Sequence, residues 1–446
     1  MNNPSAIWPN RARSTLFRSL MHSVIALSIG LPVVWSVSDT AAQPKLDICG
    51  CAGHADSLGA LDTSDPENLP AGFKVQKYSM IIPVPRDGVV IFDNVNFVQW
   101  NKHRNNEIRF TSDTVNAAVT ILSAGDFVLG PGVIIRIDGA GGTGGSPKVN
   151  GRGGAPGPGG FRGGDGAFQE VNEAKQGGTG HGPAGGAAGT ADPKAGGGHG
   201  VFSGRPTLLP LIGGSGGGGG ASLAAGNCSG GGGGGGGGAL LVVANGKIQI
   251  NGSINADGGE GGQPSNRECG TAGGGGAGGA VRLLGREVGG GGYINARTWR
   301  GNVNESSGVI RIESLTDDTL VPNRLTPAAR RSNVIGPLVN AMASSIAITA
   351  IGDQSVPDVL IGAKGGIDMV LPAPGKVRIQ VETTAVPAGT TVAVTVKPKV
   401  GGTVLRQSAE INASGCSSDG KCTTYVEMEI PSGAFVAEAI ATFQTP

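Results

Sequence analysis

The chain has 446 residues, enough for two or three domains, with 34 basic and 33 acidic residues. That balance excludes the electrostatic footprint of a nucleic-acid binder, and an aromatic content of 4% leaves few stacking platforms for bases. Glycine is the outlier, with 84 residues, 61 of them between Gly139 and Gly292, yet without the sustained Gly-X-Y register of collagen.

At the N-terminus, Arg11, Arg13 and Arg18 precede the apolar run LMHSVIALSIGLPVVWSV, which is followed by Thr40-Ala41-Ala42. This pattern predicts an export signal over 1–42, cleaved after Ala42. A retained membrane anchor is the competing reading; Pro32 and the small-residue exit favour removal. No second apolar run of that length follows, so a secreted or surface-attached protein without a membrane span is expected.

Residues 43–117 read as an irregular segment and cap. They are rich in Pro, Asp and Gly at first, then strand-like in YSMIIPV, GVVIFDNV and NEIRFTS. Atypical leading coils of this kind cover the open edge of a stacked β-structure.

Residues 118–314 carry a repeat. Cys228 lies 11 residues before Ala239, which opens ALLVVANG, and Cys269 lies 11 residues before Ala280, which opens AVRLLGRE. Ser253-Ile254-Asn255-Ala256 is answered by Tyr293-Ile294-Asn295-Ala296, and further echoes occur at 118–142 and 308–313. A period of 40–41 residues signals stacked units. Short β-branched strands punctuated by glycine predict a parallel β-helix or β-solenoid with long glycine-rich loops; an antiparallel sandwich of the same strands is the alternative. In the solenoid, equivalent residues of neighbouring coils lie about 4.8 Å apart. Cys228 and Cys269 are then within disulfide reach, and they are expected to pair. Cys416 and Cys422 bracket SSDGK and suit a hairpin disulfide, whereas the partners of Cys49 and Cys51 stay open.

The nine glycines Gly230–Gly238 are the puzzle. Ordering them costs about 5–9 kcal/mol relative to alanine. Two readings compete: polyglycine strands bonded to each other, or mobile loops between rungs, with the loops as the default expectation. The apolar island Arg205–Ile212 is expected to tether this insert to the scaffold.

Residues 315–340, with their spaced prolines, predict a linker. Residues 341–446 contain strands such as KVRIQVETT, TTVAVTVKP and TTYVEMEI, separated by turn signals. They predict an immunoglobulin- or fibronectin-like β-sandwich.

Several pieces together resemble a family of uncharacterised exported glycine-rich proteins of environmental bacteria. They are EIRFTSDTVNAAVTILSAGDFVLGPG, GAPGPGGFRGGDG, GGGGGGALLVVANGKIQINGSINADGGEGG, GGGGAGGAVRLL and SGVIRIES. The resemblance implies export, a β-solenoid-like architecture and a following sandwich, and it offers no catalytic residues.

No motif carries chemistry. The many Gly-X-Gly-X-X-Gly matches follow from composition alone, and none opens a helix after a strand. His181 and His199 are read as exposed loop residues and Asp165 as a turn residue, so no metal and no cofactor are expected. A polysaccharide lyase or hydrolase would need convergent carboxylates. Asp126, Asp138, Asp257, Arg282 and Arg311 are the candidates, and turn-forming Asp is the plainer reading of Asp138 and Asp257. The expected function is therefore non-catalytic, structural or adhesive, with extracellular polysaccharide or copies of the chain itself as partners. The alternatives are a glycan-binding module and, behind it, a polysaccharide lyase or hydrolase on a β-helix.

Overall fold

The computed structural model describes residues 47–441, apart from 112–115, 169–173, 191, 193–194, 224–227, 299–305, 339–344, 358–366, 385, 418–419 and 431. The expected signal at 1–42 lies outside the described residues. The described chain is almost wholly strand and extended segment.

Among the described residues, sixteen strands precede residue 335: β1 (Ala60–Asp62), β2 (Lys74–Val75), β3 (Ser79–Pro83), β4 (Val89–Phe92), β5 (Asn94–Phe97), β6 (Asn106–Thr111), β7 (Val119–Ser123), β8 (Phe127–Leu129), β9 (Val133–Arg136), β10 (Ala239–Ile250), β11 (Ser253–Asn255), β12 (Ala280–Gly289), β13 (Tyr293–Asn295), β14 (Val309–Ser314), β15 (Leu325–Thr326) and β16 (Arg330–Ser332). They form two sheets. The first runs β1-β5-β8-β10-β12-β14-β16, with β4 and β7 pairing beside it, and is parallel throughout. The second runs β15-β13-β11-β9-β6-β3-β2 and is parallel except at its β2–β3 end.

The register follows the sequence repeat. Thr120 faces Leu241, Leu241 faces Arg282, and Arg282 faces Arg311. In the second sheet Ile135 faces Ile254, which faces Ile294. Inward-pointing side chains of both sheets, among them Phe127, Leu240, Val242, Ile254, Val281, Leu283 and Ile310, make one buried core. A strand with one solvated face would alternate; β10 reads ALLVVA because both of its faces are covered. Its outward Leu241 and Val243 lie under Cys49, Cys51, Leu211, Ile335 and Leu338.

Two expectations change here, and one open pairing closes. Residues 43–117 are more than a cap, since β1 and β3–β6 already occupy parallel positions in the two sheets. The stretch 315–340 is no free linker: β15 and β16 add a further pair of strands, and Gly336 donates to Glu313 Oε2 at 2.5 Å. Prolines at strand ends are compatible with edge positions, which is why their spacing misled. Cys49 and Cys51 pair with each other, with Cα atoms 5.1 Å apart, inside the ordinary disulfide range.

The remaining strands are β17 (Ser345–Ile351), β18 (Gln354–Ser355), β19 (Gly375–Thr384), β20 (Thr391–Pro398), β21 (Leu405–Glu410), β22 (Lys421–Ile430) and β23 (Phe435–Ala441). They build two antiparallel sheets, β18-β17-β19-β22 and β21-β20-β23. Alternation along β19 and β22 buries Ile379, Val381, Val426, Met428 and Ile430 with Val392, Val394 and Val396 of β20.

Candidate functional site

The glycine-rich excursions leave from one corner of the repeat, after β9 and after β11. Parallel register therefore brings them side by side. Every N–H of Gly230–Gly238 donates to another segment, in strict rotation. Gly230, Gly233 and Gly236 donate to Ala167, Gly164 and Phe161; Gly231, Gly234 and Gly237 to Thr271, Gly274 and Ala277; Gly232, Gly235 and Gly238 to Thr143, Ala140 and Ile137. Their carbonyls accept in the same rotation, from 151–157, 214–220 and 256–262, with Ala280 closing the last place; all these bonds lie between 2.7 and 3.1 Å.

A period of three with no bond inside the segment is the polyproline-II screw. None of the nine glycines has a positive φ, which fits its left hand. One such rod thus sits among six neighbours. A second, Gly213–Gly220, is bonded in the same manner to 159–167, 178–181, 186–189, 198, 231–237 and 274–277. Both rods are buried along their length.

This packing answers why the run is glycine. A Cβ on Gly234 would lie inside the Gly259 carbonyl, one on Gly232 against Arg152 O, and one on Gly233 against Gly217 O. Three neighbours, one for each side of the screw, leave no open direction for a side chain. The mobile-loop expectation is overturned. Rods without internal hydrogen bonds satisfy their backbone only by bonding laterally, so burial and order arrive together.

The apolar island ties the lattice down, as Leu208 is fully buried against Ala239, Ala280 and Val309. Cys228 and Cys269 are joined, Cα atoms 5.6 Å apart, on two of the adjoining segments. Cys416 and Cys422 are joined at 3.9 Å across an antiparallel bridge.

The candidate carboxylates are mostly occupied. Asp138 Oδ1 accepts the N–H of Asp257 at 3.2 Å, and Asp257 Oδ1 accepts the N–H of Arg297 at 2.7 Å. Each aspartate thus caps the next rung. Arg136 holds Asp138 at 3.0 Å and Arg297 holds Asp257 at 2.7 Å. Burial pushes the Asp138 carboxyl up, against the pull of Arg136. Asp126 accepts from the Lys247 N–H at 2.8 Å. On the other sheet, Arg282 and Arg311 both hold the buried Glu313, and Arg282 also donates to Pro337 O at 3.0 Å. The structure does not bring these five residues together.

A second cluster, unseen in the sequence, lies where the lattice meets the three-stranded sheet. Asp165 is buried, held by Arg162 at 2.7 Å and by Lys399 at 3.5 Å. Glu438 takes Lys397 at 2.7 Å and the Gly182 N–H at 2.8 Å, while Lys397 also donates to Gly180 O and Gly182 O. His181, read from the sequence as exposed, is buried beside them; burial, then Lys397 and Arg162, push its imidazole down to about 3. His199 is exposed, and its Nδ1 accepts from Gly275. Only the arginine and aspartate of 162–165 carried a local signal, three residues apart on one side of a threefold screw.

No family model, no curated protein and no solved structure matches this chain. Among the described residues, no helix is long and apolar enough to cross a membrane.

Proposed function

We propose that this is an exported, non-catalytic structural protein. In this reading the two parallel sheets are successive coils of a β-helix, the glycine segments form a slab along its side, and the two antiparallel sheets are a β-sandwich docked on that slab. The observation that carries the proposal is the glycine rod Gly230–Gly238, whose eighteen backbone groups are all bonded to other segments. A body held by lateral bonds, with three disulfides and with Asp138 and Asp257 committed to rung caps and arginines, suits bearing load and presenting a fixed surface to matrix polymers.

Single-molecule pulling of the mature protein tests it. A structural element gives a discrete high-force rupture of the glycine segments. Extension of those residues at the low force of an entropic chain contradicts it, as does turnover of any polysaccharide abolished by Asp138→Asn or Asp257→Asn.

A further inference from the structure

The three-stranded sheet leaves a cleft of about 290 Å³ against the glycine lattice. Pro183, Val404 and Ile440 give it apolar walls, and Thr179, Thr395 and Arg406 line it with polar groups. Its base is closed by the Lys397–Glu438 pair, largely buried and already satisfied. One group stands out as unused. Arg406, exposed and directly opposite Thr395 in the β20–β21 pair, has no ion-pair partner among the described residues. A free guanidinium at the mouth of a cleft selects a planar anion, bound through two parallel N–H donors.

We propose that this cleft binds a uronic acid residue of an acidic polysaccharide. The carboxylate meets Arg406, a ring hydroxyl meets Thr395, and the apolar face of the sugar ring lies on Val404 and Ile440. An inorganic anion leaves the apolar wall unused, and a neutral sugar leaves Arg406 unpaired. The site exists only where lattice and sheet meet, so neither half carries it alone. The inference extends the structural reading by naming a partner, and the pulling and binding experiments can fail independently.

The test is isothermal titration of the full mature protein with trigalacturonic acid, with cellotriose and inorganic phosphate as comparators. Saturable binding of the acidic trisaccharide alone is expected, weakening with salt. Arg406→Ala should reduce affinity at least about tenfold, because a hydrogen bond to a charged group is lost. Arg406→Lys should recover part of it. Thr395→Val should weaken binding without changing the melting temperature. Absence of binding, equal binding of cellotriose or phosphate, or an unchanged affinity in Arg406→Ala with an unchanged melting temperature overturns the proposal.

Discussion

The amide of Gly234 donates to the carbonyl of Gly274 at 2.8 Å, forty residues along the chain. That separation is one strand repeat, so the spacing that stacks β10 on β12 also places glycine rod beside glycine rod. The lattice inherits its register from the sheets. Its own sequence could not supply one, because nine identical residues can slide past each other without penalty.

Gly234→Ala tests the packing. The added methyl meets the Gly259 carbonyl, which is main chain and cannot swing aside. Overpacking a rigid interior costs about 1–3 kcal/mol and sometimes more. The mature variant should therefore melt several degrees lower, as read by calorimetry. A mobile loop would instead gain slightly from alanine.

Cys228→Ser tests the staple. The disulfide closes a loop spanning 41 residues, for which the chain-entropy relation gives about 4 kcal/mol. Denaturant unfolding of the variant should show a loss of that order. An unchanged midpoint would mean that the sheets alone hold these two segments in place.

Asp257 separates a cap from a catalyst. Asp257→Ala removes both the acceptor for the Arg297 N–H and the ion pair with its side chain. A loss of about 1–3 kcal/mol and faster exchange of the Arg297 amide are expected. Asp257→Asn keeps an acceptor and loses only a half-exposed ion pair, worth about 1 kcal/mol or less.

Acid should weaken the junction through His181. Its folded-state pKa of about 3 lies below the ordinary 6.5, so the unfolded chain takes up a proton that the folded chain refuses. The neutral imidazole contributes its full stability above pH 6.5. That contribution falls by up to about 1.4 kcal/mol per unit as pH drops from there toward 3. The charged groups that face it are Lys397, Arg162, Lys399, Asp165 and Glu438. His181→Gln should flatten the decline between pH 6.5 and 4.5; equal slopes would assign it elsewhere.

The paired strands were legible because Val, Leu and Ile cluster at a fixed period, and the two equidistant cysteines marked the same register. The lattice was hidden by uniformity. A threefold screw shows in sequence only where non-glycine residues sit on its outer side. Such traces exist: Asp257, Glu260 and Gln263 recur every third residue with paired glycines between, and Arg152, Ala155 and Pro158 recur at the same spacing. They are short, and collagen-like periodicity is ordinarily sought over long runs. The junction was invisible for another reason. Asp165 meets Lys399, and Glu438 meets Gly182, only after two folded bodies dock, and no local pattern encodes such a pairing.

Amide hydrogen exchange of the mature protein, resolved across Gly230–Gly238, tests the central claim most directly. All nine amides should be protected to the same degree as those of β10, because each donates to a neighbouring buried segment. Exchange at the rate of an unstructured glycine chain, with β10 still protected, would contradict the lattice.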